Sequence, residues 1–403
     1  MEPINEERTG PLTGIRVIDL SRILAGPLCT MNLGDMGAEI IKVEQPGRGD
    51  DTRSWGPPFA ATEAAYFLGV NRNKRGMTLN LKDPRGQRLL KSLLRSADVL
   101  VENFKPGTLD GWGISREWIA SEAPQLVHCE ITGYGNSGPR SALPGYDFLM
   151  QAESGLMSIT GDKDGEPAKL GVAIVDVCTG MYAAMGILAA LNSRTRTGVG
   201  QKVETSLYST AISMLINVAS NYLISGKSPQ RYGNGHPNIV PYRAFACADG
   251  SIALAVGNDA QFARLANCLG HPEWAEDSSF QRNEDRVRNR EAIDARISAS
   301  LRLHNVDQLL ELFRAKGIPC SPINDVDAAI EDLQTRASNM VVNIEHPTAG
   351  PMRMLGIPYI FSETPASIDL PPPPLGADTD HVLGKLLGLD EDTVAAYRRE
   401  GVV

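Results

Sequence analysis

The sequence has few of the features that identify disulfide-rich, metal-binding or nucleic-acid-binding proteins. It has six cysteines in 403 residues, with no C-x-x-C spacing, and six histidines with no pair at metal-ligand spacing. Asp and Glu number 48 against 39 Lys and Arg, which gives a net charge of -9. An acidic chain of this kind is not drawn in general to nucleic acid or to anionic membranes. We therefore expect no metal, no nucleic-acid partner and no membrane partner.

The sequence has ample apolar material for a folded core. Hydrophobic residues make up 42% and charged residues 22% of the chain, which is close to the average for globular proteins. The length predicts at least two domains, or one domain with a large insertion. We find no run near the roughly 20 apolar residues of a membrane span, and the first ten residues lack a secretory or transit pattern. With scattered thiols, these features predict a cytoplasmic protein.

The first half of the chain alternates strand and helix patterns. The alternation predicts a Rossmann-like α/β domain with a parallel sheet, whose ligands bind beyond the carboxyl ends of the strands. The predicted strands cover 14–20, 38–44, 98–102 and 125–132, and the predicted helices cover 25–36, 84–94 and 114–123. We expect this large domain to span 1–225, a smaller α/β domain to span 235–315, and the segment 320–403 to return to the large domain.

Two glycine motifs resemble nucleotide-binding signatures without the context these need. Residues 133–138 fit G-x-G-x-x-G, but Pro139 and Pro144 follow where a helix should begin. Gly226, Lys227 and Ser228 resemble the end of a P-loop whose first glycine would be Asn221. The first motif therefore indicates a substrate-cleft loop. The second does not indicate an ATP-binding site.

Three features remain as candidates for a functional site. The first is a set of basic residues, Lys42, Arg48 and Arg53, with a second cluster at 72–75. If the loops that carry them meet, these residues form a cationic rim suited to polyphosphate. If the loops do not meet, the residues are ordinary surface charges. Asp176 lies among apolar neighbours, either as a functional carboxylate or as the N-cap of a helix beginning near residue 179. Tyr146 and Asp147 form a second polar pair with the same ambiguity.

At these residues the chain resembles the family III CoA-transferases, which include formyl-CoA transferase, carnitine-CoA transferases and α-methylacyl-CoA racemases. The resemblance extends over nearly the whole chain. Its motifs are DLSRILAGP at 19–27, EIIKVE at 39–44, GDDTR at 49–53, NRNKR at 71–75, VENFKPG at 101–107, TGYG at 132–135, TGVGQ at 197–201, YGNGHP at 232–237 and IVPY at 239–242. Segments 49–58 and 154–161 are most similar to succinate–hydroxymethylglutarate CoA-transferases, which accept dicarboxylates.

The resemblance implies a function for each candidate. Asp176 matches the family's catalytic aspartate, which would carry CoA from an acyl-CoA, such as succinyl-CoA, to a carboxylic acid through an aspartyl-CoA thioester. It also implies that Ala25, Lys42, Arg75, Asn103 and Phe104 line the CoA site. No tightly bound cofactor is implied, since CoA and acyl-CoA are substrates. An interlocked homodimer is expected.

Other positions carry over with departures from the family pattern. Arg22 stands where formyl-CoA transferase has His, and we expect it to pair with a substrate carboxylate. Gly233 and Gly235 match the mobile glycine loop of the family, although this loop has fewer glycines here than in formyl-CoA transferase. Racemases have a histidine where this chain has Tyr146, next to Asp147, which argues against a racemase-like epimerase. A CoA-binding protein without catalysis stays open as an alternative.

Overall fold

A computed structural model describes residues 9–403, so the expectation about the N-terminal pattern lies largely outside the described residues. The strands are β1 (Arg16–Asp19), β2 (Glu39–Glu44), β3 (Phe59–Ala60), β4 (Glu63–Ala64), β5 (Lys74–Thr78), β6 (Val99–Glu102), β7 (Val127–Thr132), β8 (Lys202–Ser206), β9 (Tyr242–Ala246), β10 (Ser251–Ala255), β11 (Cys320–Pro322), β12 (Val341–His346) and β13 (Gly350–Leu355).

The α-helices alternate with these strands mainly in the first half of the chain. They are α1 (Ala25–Asp35), α2 (Ala65–Leu68), α3 (Pro84–Leu94), α4 (Thr108–Gly111), α5 (Arg116–Glu122), α6 (Asp147–Glu153), α7 (Ile174–Thr197), α8 (Leu207–Ser213), α9 (Ile216–Ser225), α10 (Asp259–Cys268), α11 (Glu273–Glu276), α12 (Asn283–Arg288), α13 (Arg290–Leu301), α14 (Val306–Ala315), α15 (Val326–Glu331), α16 (Leu333–Ala337), α17 (Thr379–Leu387) and α18 (Glu391–Arg399). Two short 3₁₀ helices cover Asp51–Ser54 and Met157–Ile159.

The chain forms two compact units. The first contains the described residues up to Ser154, Gly171–Met214 and Leu333–Val403, and the second contains Gly155–Leu170 and Leu215–Asp332. These bounds differ from the predicted ones in three places. Segment 155–170 and helix α9 belong to the second unit rather than to the large domain, and the second unit continues to Asp332.

The first unit contains a six-stranded parallel sheet in the order β5-β2-β1-β6-β7-β8. All four residues of β1 and of β6 are buried, as expected for central strands of a parallel sheet. The predicted α/β fold class is confirmed. Two strands of this sheet were not predicted, β5 and β8, because their charged residues resemble those of surface segments.

Helix α7 is the longest helix in the described residues, with 24 residues ending at the left-handed Gly198. By length and composition α7 is apolar enough to cross a membrane, which differs from our expectation that no segment would be. In the structure, 44% of its most apolar 18-residue stretch is buried. It packs against α1, β7 and β8, as a core helix does. It begins at Ile174, so the alternative of Asp176 as an N-cap is wrong: Asp176 lies in the first turn.

The C-terminal part of the first unit contributes to its core. Val382, Leu383 and Leu386 of α17 belong to the same hydrophobic cluster as Leu89, Leu90 and other residues of α3. Polar contacts add to this packing, since the backbone N–H of Gly76 in β5 donates to Asp378 at 2.9 Å. Burial of each such apolar side chain stabilises the fold by about 1.5–3 kcal/mol.

The second unit has its own core around a three-stranded antiparallel sheet in the order β11-β10-β9. Ile252 and Leu254 on one face of β10 are buried against Phe262 of α10 and Phe313 of α14. A fully buried arginine, Arg286, donates to the carbonyl of Val240 and thereby satisfies a loop backbone.

Candidate active site

A cavity of about 240 Å³ lies in the first unit, beyond the carboxyl ends of β1, β6 and β7. This is where a parallel sheet of this kind places its ligands. The cavity brings together six of the residues selected from the sequence, which are Arg22, Ala25, Asn103, Phe104, Tyr146 and Asp176.

The carboxylate of Asp176 belongs to the first turn of α7 and lines the cavity. Burial, and to a smaller extent the negative charge of Asp147, raises the pKa of this carboxyl from 3.8 to about 7. Burial disfavours the ionised form because the charge loses water. A carboxylate that is poorly solvated is also a better nucleophile than one in bulk water, so the setting of Asp176 suits covalent chemistry.

Asp147 lies behind Asp176, at the first residue of α6. One of its carboxylate oxygens, Oδ1, accepts the backbone N–H groups of Val175 at 2.7 Å and Asp176 at 3.2 Å. The other, Oδ2, accepts from the amide of Gln151 at 2.6 Å. Asp147 therefore caps the free N–H groups of α7 from another helix. The two residues of the polar pair have different surroundings, since Tyr146 lines the cavity and is 59% exposed.

The N-terminus of α1 contributes Ala25 to the cavity wall. Helix α7 approaches it closely at Gly180, where an added Cβ would lie 2.5 Å from the carbonyl oxygen of Ala25. Only glycine allows this approach. The packing fixes the position of Asp176, one turn earlier in α7, relative to the backbone of α1.

Three side chains hold the segment that joins β1 to α1. The Asn103 amide accepts the backbone N–H of Arg22 at 2.9 Å and donates to its carbonyl at 2.8 Å. Asp50 accepts the backbone N–H of Ile23 with both oxygens at 3.2 Å. The Lys42 ammonium donates to the carbonyl of Ser21 at 3.0 Å and to Asp50 at 3.1 Å.

These contacts bear on two residues expected to bind CoA. The side chain of Lys42 is fully buried and is paired with Asp50, so the structure places it inside the protein rather than on the cavity wall. Asn103 does line the cavity, but its amide groups are engaged by the backbone of Arg22. Lys42 therefore supports the wall of the cavity from behind, and Asn103 is part of that wall.

The predicted cationic rim is wrong, because most of its members are paired inside the first unit. Arg72 binds Asp35 at 2.7 Å, and Lys74 binds Asp19 at 3.1 Å with both side chains fully buried. Arg75 is mostly buried and binds Asp378 of the returning C-terminal segment at 3.2 Å. The remaining pairs are Arg53 with Glu44 and the exposed Arg48 with Asp51. Buried charges need partners of opposite sign, and only the fold shows which partners they have.

The cations that line the cavity are Arg22 and Lys105. Lys105 was not selected from the sequence, although it lies within the motif at 101–107. Phe104, next to it, packs edge-on against Trp112 with ring centroids 5.2 Å apart, so its ring is held in place.

Tyr66 is a second residue near the site that was not selected. Burial raises the pKa of its hydroxyl, and the charges of Asp176 and Asp147 act in the same direction, which places the ring within electrostatic reach of both. It packs edge-on against Trp55, 5.1 Å between centroids. The only sequence signal was the position of Trp55 in the motif at 49–58.

The glycines of the predicted mobile loop, Gly233 and Gly235, belong to the second unit. They lie in an irregular segment and line a cavity of about 860 Å³ within that unit, together with Tyr232, Arg243 and Arg290. Gly233 has a φ of 59°, a left-handed conformation that favours glycine.

The glycine motif at 133–138 is an irregular segment that follows β7, and the next helix begins only at Asp147. The interpretation as a substrate-cleft loop fits, since Gly133 lines the cavity. No histidine is among the cavity-lining residues in the described part of the chain. A two-base proton transfer of the racemase type therefore lacks one of its expected groups.

Comparison with known proteins identifies the family. The model of CoA-transferase family III matches residues 12–379. The chain is 44% identical to the succinyl-CoA:glutarate CoA-transferase of Mus musculus over 98% of this chain and 90% of the mouse protein. It is 42% identical to the succinate–glutarate CoA-transferase of Agrobacterium fabrum (strain C58), over 94% of this chain and 96% of that protein.

A solved structure shows the same fold. The crystal structure of a CAIB/BAIF family protein from Brucella suis superposes with a TM-score of 0.82 and 41% sequence identity, covering 94% of this chain and all of that one. Because the family model and these relatives match nearly the whole chain, the chain belongs to CoA-transferase family III and is a CoA-transferase.

Proposed function

We propose that this CoA-transferase moves CoA reversibly from succinyl-CoA to a second dicarboxylic acid, with Asp176 as the covalent nucleophile. The observation that carries the proposal is the position of Asp176, a poorly solvated carboxylate at the start of α7 that lines the cavity. The names of the relatives from Mus musculus and Agrobacterium fabrum, both succinate–glutarate CoA-transferases, support succinate and glutarate as the two acids.

The first half of the reaction transfers CoA to the enzyme. A carboxylate oxygen of Asp176 attacks the thioester carbonyl, and the C–S bond breaks to give a succinyl-aspartyl anhydride and CoA thiolate. The thiolate then attacks the aspartyl carbonyl, and the C–O bond of the anhydride breaks. Succinate leaves, and Asp176 carries CoA as a thioester. No proton is gained or lost in these steps.

The second half returns CoA to an acid. The carboxylate of the acceptor attacks the carbonyl of the aspartyl thioester, and the C–S bond breaks. CoA thiolate departs, and a new anhydride forms between the acceptor and Asp176. The thiolate attacks the acceptor carbonyl, and the C–O bond of the anhydride breaks. The acyl-CoA product is released, and Asp176 is again a free carboxylate. Because one thioester replaces another, the exchange needs no external energy source.

The backbone around Ala25 and the ring of Phe104 are the groups that we propose contact CoA near its thioester. Both line the cavity that contains Asp176. The start of α1 carries backbone N–H groups without a side-chain cap, and such groups stabilise negative charge that develops on an oxygen.

Mass spectrometry tests the proposal directly. Incubation with succinyl-CoA, followed by hydroxylamine or borohydride, should change the mass of the peptide that contains Asp176 and of no other peptide. The variant Asp176→Asn should bind succinyl-CoA and give no change. If the wild-type peptide stays unmodified while succinyl-CoA is bound and intact, the proposal is wrong, and exchange of the α-proton in deuterated water then tests an epimerase.

We also propose a homodimer. In the first unit, apolar side chains of α7 are exposed, including Met181 at 53% and Met185 at 61%. In the second unit, Leu223 and Ile224 of α9 are 79% and 87% exposed. Several exposed apolar side chains on one helix are typical of subunit interfaces. Light scattering coupled to gel filtration should give twice the mass of the chain.

A cytoplasmic location is proposed on the state of the cysteines. All six are free thiols in the structure, as expected in a reducing compartment. Cell fractionation with antibody detection tests this.

A further inference from the structure

The cavity that contains Asp176 is lined by two cations with different surroundings. Arg22 follows β1 and Lys105 follows β6. The backbone of Arg22 is held on both sides by the Asn103 amide, whereas no ion pair is found for Lys105 in the described residues. A cation on a fixed backbone can select a ligand by its geometry, and a cation on a free side chain contributes mainly charge.

The guanidinium of Arg22 has hydrogen-bonding capacity to spare. Its side chain is 51% exposed, and its one ion pair, to Oδ2 of Asp51, is long at 3.5 Å. Asp51 is held more closely by Arg48, at 2.6 Å through Oδ1. A guanidinium has five N–H donors in a planar fork that fits a carboxylate with two parallel hydrogen bonds. Most of the N–H donors of Arg22 therefore face the cavity or solvent, free to form a paired hydrogen bond with a carboxylate.

The backbone next to Arg22 is strained in a way that the surrounding side chains maintain. Ile23 has a φ of 73°, a left-handed conformation that is unfavourable for a β-branched residue. Both oxygens of Asp50 accept its N–H, and Lys42 holds Asp50 and the carbonyl of Ser21. Strain of this kind persists only where the surroundings over-determine it, and it is concentrated at functional sites.

We propose that Arg22 binds the distal carboxylate of the dicarboxylic acid, the one that does not react, and that Asn103 is a positioning residue for it. The proposal rests on the function proposed above, because it requires the reacting carboxyl to meet Asp176. The donor acid leaves before the acceptor binds, so one guanidinium serves the distal carboxylates of both acids in turn. Arg22 and Asp176 both line the cavity of about 240 Å³, so one bound acid can meet both side chains.

The test compares two donors that differ only at the distal group. Succinyl-CoA carries a carboxylate where butyryl-CoA carries a methyl group, and the CoA part is the same. The rate of adduct formation on Asp176 is measured for each donor by rapid quench and mass spectrometry. The ratio of the two rates isolates recognition of the distal carboxylate from binding of CoA.

In Arg22→Gln we expect the succinyl-to-butyryl ratio to fall about 100-fold, because a site built to pair with a polar group discriminates strongly by that group. Arg22→Lys should recover part of the ratio, since an ammonium keeps the charge and loses the planar fork. The matched control is Lys105→Gln, which removes the other cavity cation and should leave the ratio unchanged, whatever its effect on the two separate rates.

Asn103→Ala tests the positioning role. The ratio should fall about tenfold, whatever the effect on the rate with butyryl-CoA, because the guanidinium is still present but the Asn103 amide no longer holds its backbone. A residue with a merely structural role would lower both rates together and leave their ratio unchanged. Equal loss with both donors would overturn the role of Asn103.

Failure of the proposal and failure of the proposed function give different results. No adduct on wild-type Asp176 with either donor overturns both. Adducts with an unchanged ratio in Arg22→Gln overturn the role of Arg22 alone. Equal loss with both donors in Arg22→Gln shows that Arg22 binds the CoA part that they share, and this also overturns the proposal.

Discussion

At the scale of single residues, the chemistry of this protein depends on how its neighbours set the charge of Asp176. Its pKa of about 7 results first from burial and second from Asp147. Asp147 has two effects that oppose each other in catalysis. Its hydrogen bonds from Val175 and Asp176 hold the start of α7, and its charge keeps part of Asp176 protonated at neutral pH.

This arrangement predicts the pH dependence of the first half-reaction. The nucleophile must be ionised, so kcat/KM for succinyl-CoA should rise with pH and level off above about 7. In Asp147→Asn the rise should move to lower pH, because the charge is removed while an oxygen remains to cap α7. Steady-state kinetics between pH 5 and pH 9 measure both profiles. A rise at the same pH in the two enzymes would show that Asp147 does not tune Asp176.

The same raised pKa predicts an effect on stability. Asp176 has a higher pKa in the folded protein than in an unfolded chain, so the free energy of unfolding falls as the pH rises from about 4 to about 7 and then levels off. Asp176→Asn should be more stable than wild type at pH 8, on the order of 1–3 kcal/mol, and about equal to it at pH 4. Urea denaturation at the two pH values measures this. Equal stability at pH 8 would argue that Asp176 is well solvated.

At the scale of elements, the contact of α1 with α7 determines the geometry of the site. Gly180→Ala would place a methyl group 2.5 Å from the carbonyl oxygen of Ala25, so the helices must separate. We expect a loss of about 1–3 kcal/mol in the free energy of unfolding and a fall in kcat larger than the fall in binding of CoA.

The control for this substitution is Gly111→Ala in α4, where an added methyl group meets nothing within 4 Å. Replacing glycine in a helix at such a position is neutral or stabilising. Urea denaturation and single-turnover kinetics on the two variants separate the steric effect from the loss of a glycine. Normal activity in Gly180→Ala would show that the α1–α7 distance does not determine catalysis.

The elements also show where sequence patterns succeed. Strand β1 and helix α3 were predicted within one or two residues, since a β-branched run and an Asp83–Pro84 start are strong local signals. Strand β5 was not, because Lys74 and Arg75 were interpreted as surface charge. Lys74 is fully buried, and its pKa is lowered to about 8 by burial despite the opposing effect of Asp19. A pairing over 55 positions leaves no local trace.

At the scale of the whole molecule, the segment from Leu333 onward returns to the first unit. Leu383 of α17 is fully buried in the cluster that contains Leu89 and Leu90 of α3. Leu383→Ala should therefore lower the free energy of unfolding by about 2–5 kcal/mol. In contrast, Lys385→Ala on the exposed side of the same helix should change it by about 0.5 kcal/mol or less.

Denaturation of the two variants, followed by far-UV circular dichroism, checks this expectation. If Leu383→Ala is as stable as Lys385→Ala, the C-terminal segment does not share the core of the first unit. A separate, earlier transition in Leu383→Ala would mean that this segment unfolds by itself.

The sequence by itself determined the fold class, the family resemblance and the choice of Asp176, because these depend on local periodicity and on motifs whose residues are close in the chain. Tertiary structure decided which charges are free. Lys42, Lys74 and Arg75 are engaged by Asp50, Asp19 and Asp378, while Arg22 keeps an exposed guanidinium beside the cavity. The physical reason is that the energy of a charge depends on its solvation and on neighbours that are distant in sequence.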